Sequence, residues 1–110
     1  MVNGRHGAKA ANRSRYTGDA ETRCEETKVK LAIVTAQIRV AGITGSVETN
    51  KQLMKAQFQA ETHLATVRRR LERLKLADEQ SWPQHKQDLE DGWEDLLRSI
   101  KNIVSKLSSL

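Results

Sequence analysis

Few residues in this sequence have the type and spacing that chemistry needs. His85-x-x-Asp88 places an imidazole and a carboxylate one helical turn apart, a spacing that can contact a metal. A second ligand pair is missing, because His6 and His63 share no ligand spacing with it. Asp88, Asp91 and Asp95 fall on one helical face, and paired carboxylates can do acid–base work. An acidic stripe at a helix start is, however, the commoner reason for that pattern. Cys24 is the single cysteine and cannot form an internal disulfide; it reads as a tolerated thiol near a helix start. No GxxxxGKS/T phosphate loop, no GxSxG and no Cys/His cluster occurs. The expectation is a protein that is not an enzyme, with no catalytic, cofactor or metal residues and no small-molecule substrate.

The remaining candidates are surfaces. Arg68, Arg69 and Arg70 with Arg73 and Lys75 could contact phosphates. Nucleic-acid recognition also wants stacking or base-reading residues, and this run has no aromatic beside it. Nucleic acid is therefore not an expected partner. Residues 81–110 form the strongest structural signal. Trp82, Leu89, Trp93, Leu96, Ile100, Ile103, Leu107 and Leu110 follow one heptad seam, with Lys86 its only polar member. Leu97 and Val104 widen that face, and Arg98, Lys101 and Lys106 follow at its end, so weak contact with an anionic membrane is a second expectation.

The elements that position these groups are helical. Composition allows one small domain: 110 residues, 37% hydrophobic, 30% charged, 4% aromatic, net charge +5. The longest nearly apolar run, residues 31–47, contains Gln37 and Arg39 and is too short for a transmembrane helix of about 20 apolar residues. The N-terminus is basic with no apolar segment behind it, so the expected compartment is the cytoplasm.

Residues 1–20 contain three glycines and Arg5, Lys9, Arg13 and Arg15, with Tyr16 as the one large apolar side chain after the start, and read as a disordered basic tail. Residues 21–42 read as a first helix. Leu31, Val34, Ile38 and Ala41 form its stripe, while Val29, Ile33, Val40 and Ile43 widen it, which predicts contact on two sides. Gly42 and Gly45 predict a turn over 43–46 in which a glycine ends the helix in the left-handed conformation, and Ser46 caps the next helix. A kinked continuous helix is the alternative there.

Residues 46–77 read as the second helix, with Leu53, Leu64, Val67, Leu71 and Leu74 on its packing seam and Asn50 and Gln57 at seam positions near its start. Ser81-Trp82-Pro83-Gln84 reads as a capping box that opens the third helix, 81–108. The basic end of the second helix and the acidic start of the third predict a charge match of Arg69 and Arg73 with Asp88 and Asp91 across a hairpin. The expected fold class is all-α: an antiparallel three-helix bundle or long helical hairpin with coiled-coil packing. Whether the first helix packs on the hairpin or extends it stays open.

From Arg70 to Trp82 (RLERLKLADEQSW) and on through LEDGWEDLLRSI, the chain resembles a group of small bacterial coiled-coil proteins of uncharacterised function. Leu71, Glu72, Leu74, Lys75, Ala77, Trp82 and Trp93 stand where that group's C-terminal half has its leucines, charges and paired tryptophans. The resemblance covers residues 50–107. It implies a soluble, all-helical protein without known catalytic residues, and it carries no functional site over. Gly92, Pro83 and the β-branched first helix depart from the pattern. The expected function is a non-enzymatic structural or interaction protein that binds itself or another helical protein; the alternative is contact with a lipid surface through amphipathic helices.

Overall fold

A computed structural model describes the backbone of residues 2–110 and the side chains of residues 10–110. Its elements are α1 (Val2–Thr44), α2 (Val47–Leu76) and α3 (Trp82–Ser108). The chain is all-α, and the three helices pack antiparallel in sequence order, so α1 and α3 run in the same direction. The rod measures 66 × 19 × 18 Å. At about 1.5 Å per residue, α1 alone accounts for that length.

The core has one line of residues from each helix. From α2 it takes Leu53, Ala56, Ala60, Leu64, Val67, Leu71 and Leu74. From α3 it takes Leu89, Trp93, Leu96, Ile100 and Ile103, with Trp82 and Leu107 partly buried against them. These steps of three and four residues keep each line on one side of a helix. Near the start of α2 the interior position belongs to Ala56, while Gln57 turns out to bond Glu61 through its amide.

α1 corrects the expected tail. Residues 10–20, read from sequence as disordered, are helical. The reason is a line of small and polar residues that hydrophobicity alone undervalues. Tyr16, Ala20, Cys24 and Thr27 continue at the same spacing into Leu31, Val34 and Ile38. Thr27 is buried without cost to its hydroxyl, which donates to the Arg23 carbonyl at 2.7 Å. The part of the tail reading that concerns Met1 and the side chains of Arg5, His6 and Lys9 lies outside the described residues. Exposed ion pairs between α1 and α2, Lys75 with Glu21 at 2.8 Å and Arg68 with Glu25 at 3.9 Å, fix register. Such pairs are worth about 0–1 kcal/mol each, against about 1.5–3 kcal/mol for each buried aliphatic side chain. The apolar line therefore docks α1.

Both turns differ in detail from expectation. The first is Gly45–Ser46. Ser46 accepts the Thr49 amide at 3.1 Å, the cap the sequence suggested. No glycine among the described residues has positive φ, so Gly45 does not end α1 by a left-handed bend. It is small because the backbone approaches closely: a Cβ there would meet the Ala41 carbonyl oxygen at 2.8 Å. Asn50 ties the turn by donating to the Gly42 carbonyl at 3.1 Å, and its own buried Oδ1 has no partner. At the second turn the expected capping box is absent, since Ser81 is already in helical conformation and makes no side-chain cap. Asp78 caps instead: its Oδ1 accepts the Ser81 amide at 2.8 Å and its carbonyl accepts the Trp82 amide. That amide bond, and then the Ser81 side chain, hold the Asp78 carboxyl below the usual range.

Two glycine substitutions separate these points. Gly18 is in α1 with nothing near a Cβ, so Gly18→Ala is expected to stabilise the fold by about 1 kcal/mol. Gly45→Ala is expected to cost about 1–3 kcal/mol, because backbone has to move. Urea unfolding measures both; an unchanged midpoint for Gly18→Ala would mean that residues around it are not helical.

Candidate functional site

The groups singled out for chemistry do not converge. Asp88 accepts the Gln84 amide at 2.9 Å, Asp91 accepts the Gln87 amide at 2.9 Å, and Asp95 faces Arg98 at 3.4 Å. No group of three or more metal-ligating side chains gathers among the described residues. Cys24 is buried in the core, and burial pushes its thiol pKa up.

The expected charge match between α2 and α3 is also corrected. Among the described residues no ion pair joins those two helices. Arg69 donates to the Thr66 hydroxyl, and Arg73 is exposed in the last turn of α2. The neighbouring Arg70 makes the crossing, and to backbone: its guanidinium donates to the Asp88 carbonyl at 2.7 Å. Gly92 is what admits it. A Cβ at Gly92 would lie 3.3 Å from both the Arg70 guanidinium and a Val67 methyl. Small size at position 92 was visible in the sequence; the use made of it was not.

The tryptophans are absorbed into the fold. Trp93 is 3% exposed and lies under the Arg23 guanidinium, 4.5 Å from its ring centre. Trp82 meets Tyr16 edge to face with ring centres 5.6 Å apart, and Lys86 sits over both rings at 4.8 and 5.7 Å. The Tyr16 hydroxyl donates to Glu90 at 3.1 Å. These contacts join the N-terminal half of α1 to the start of α3. Tyr16 and Arg23 are the residues that sequence reading missed. The signal was present in the 16, 20, 24, 27 spacing, but it fell partly within the expected tail.

The seam residues named from sequence are thus core, except that Trp82 and Leu107 are half-buried and Leu110 is exposed, and α2 and α3 have no free apolar line as long as the one on α1. There the widening residues point away from the bundle. Val29 is 59% exposed, Ile33 56%, Val40 67% and Ile43 82%. With Ala36 they repeat every three or four residues, so they form a second line along α1, opposite the buried one. Toward its C-terminal end this line borders a groove of about 900 Å³ between α1 and α3. Ile33, Val40 and Thr44 form one wall, and Val104, Leu107 and Leu110 the other. On the α2 side, Met54 and Phe58 are also exposed.

No helix among the described residues is long and apolar enough to cross a membrane. No protein family, curated protein or solved structure matches the chain, so the geometry alone bears on function.

The Tyr16 contacts give a direct test of how α1 is docked. Burial, then the hydrogen bond to Glu90 and its charge, push the phenol from 10.0 up to about 12. The folded protein therefore holds this proton more tightly than the unfolded chain. The stability so contributed is complete below pH about 10 and is lost as pH rises towards about 12. Tyr16 is the only tyrosine, so ultraviolet absorbance of the phenolate reports it alone. A midpoint near about 12 in the native protein is expected; one near 10 would mean that Tyr16 is not held against Trp82 and Glu90.

Proposed function

We propose that this chain is a non-enzymatic helical interaction protein whose helices pack as a coiled coil. It acts in the cytoplasm by pairing the outward line of α1 with a helix of another protein or of a second copy. One observation carries this reading: Val29, Ile33, Ala36, Val40 and Ile43 form a stripe at helix-packing spacing that none of the described residues covers. Single exposed apolar residues are ordinary on protein surfaces, whereas a continuous stripe along several turns is what helical partners recognise.

A second reading, contact with an anionic lipid surface, has support of its own. The stripe lies in the half of the rod that also carries Lys28, Lys30, Arg39, Lys51 and Lys55 and the exposed Met54 and Phe58. The route through the tryptophans of α3 is weakened by the burial of Trp93 in the core and by the packing of half-buried Trp82 against Tyr16.

The double substitution Ile33→Glu and Val40→Glu tests the main reading. Both positions are solvent-exposed, so unfolding free energy is expected to change by no more than about 0.5 kcal/mol per site. Proteins recovered by the wild-type chain from its native host extract, or its own dimer in sedimentation, are expected to be lost. An unchanged set of recovered proteins and an unchanged sedimentation coefficient would count against the stripe as the binding surface.

A further inference from the structure

The charges around the α1–α3 groove are one-sided. α1 and α2 bring Lys28, Lys30, Arg39, Lys51 and Lys55 to this half of the rod, against Glu48 and Glu61, and Lys28, Arg39 and Glu61 line the neighbouring α1–α2 surface. Residues 96–110 of α3 add Arg98, Lys101 and Lys106 with no acid. Most other acids lie further along the rod among bases, as Glu21 with Lys75 and Glu25 with Arg68, while Glu94 and Asp95 pair with Arg98, so bases are in excess on the groove half. Beyond Trp93 and Arg23, α1 and α3 are bridged by no described side-chain bond, and the apolar groove opens between them. Ile33, Gln37, Val40 and Thr44 succeed each other along one wall at steps of four, three and four. Two parallel helices with such walls offer the seat that a fourth helix takes in a four-helix bundle.

We propose that this groove seats one amphipathic helix of a protein partner, with acidic residues flanking its apolar stripe. The proposal rests on reading the free face of α1 as a binding surface, and it names the partner's chemistry. Charge selects among occupants. A second copy would bring the same basic half against this one, and like charges oppose that pairing. Its acidic face, Asp88, Asp91 and Asp95, has no apolar stripe to offer, because the leucines of α3 are buried in its own core. A bilayer presents a broad surface. It meets the outer ridge at Val29 and Ile43 but not the partly buried Leu107 in the groove. An acidic amphipathic helix satisfies both the shape and the sign.

The test uses the full chain and two synthetic helical peptides of identical leucine heptads, one flanked by Glu and one by Lys. Fluorescence anisotropy measures each against wild type, Val40→Asn, and the pair Arg39→Glu with Lys101→Glu. The Glu-flanked peptide is expected to bind at least about tenfold tighter than the Lys-flanked one and to weaken as salt is raised. Val40→Asn is expected to weaken it by about tenfold, since the groove loses an apolar wall residue without gaining charge. The Arg39→Glu, Lys101→Glu variant is expected to narrow the preference for the Glu-flanked peptide, and an unchanged ratio would count against charge as the selector.

Equal binding of the two peptides would overturn the acidic partner but leave the surface reading intact. Tight binding of the Glu-flanked peptide that ignores Val40→Asn would overturn the groove as its seat. If neither peptide binds and the chain instead dimerises, or pellets with phosphatidylserine vesicles, in a Val40-dependent manner, the occupant is a second copy or lipid and the proposal fails. If no probe of any kind binds, the interaction reading fails with it.

Discussion

A helix that buries one line of residues must expose the line opposite, and α1 is apolar along both. With about 3.6 residues per turn, Leu31, Val34 and Ile38 cannot face α2 unless Ile33, Val40 and Ile43 face outwards. No rotation of α1 relieves this, because turning the second line inwards would expose the first. Among the described residues the bundle has two other helices, and both lie on the same side of α1. The uncovered stripe therefore follows from the pattern of α1 once α2 and α3 have formed their pair.

That pair is well determined. Leu53, Leu74, Leu89, Leu96 and Ile103 have almost no contact with solvent. Gly92 lets α3 approach α2 closely enough for Arg70 to reach an α3 carbonyl. α1 joins by a narrower line of smaller residues, Ala20, Cys24 and Thr27, and by aromatic and cationic contacts at Tyr16 and Arg23. An edge-to-face aromatic pair contributes about 0.5–1.5 kcal/mol beyond its buried area, and a cation over a ring about 0.5–1 kcal/mol when exposed. These contacts lie near the start of α3, so α1 is held to α3 at one end and leaves the groove at the other. Charge differs between the two ends as well: acids and bases are mixed at the held end, and bases predominate in the groove half.

The all-α class, the positions of α2 and α3 and the Ser46 cap were legible in the sequence, because each rests on local spacing or local hydrogen-bonding chemistry. The N-terminal half of α1 was harder to read. Its line is built from Tyr16, Ala20, Cys24 and Thr27, which bury well but score poorly as hydrophobic, and Gly18 among them suggested a breaker. The charge match failed for a different reason. Net charges at helix ends suggest an orientation, but they do not specify which side chains meet. Arg70 found a backbone acceptor, and Lys75 and Arg68 found the acids of α1. The capping box failed because Asp78, three residues upstream, offered the Ser81 amide a charged acceptor first. Two-sided contact of α1 was visible as a pattern. Which side would remain open depended on where α3 packs, and no local rule supplies that.

Hydroxyl-radical footprinting of α1, resolved to single residues by mass spectrometry, tests the two-faced helix most directly. Strong labelling of Ile33, Val40 and Ile43 is expected alongside protection of Leu31, Val34 and Ile38 in the same molecule. Uniform labelling of all six would show that α1 does not dock on α2 and α3. Uniform protection would show that the purified protein already covers its second face.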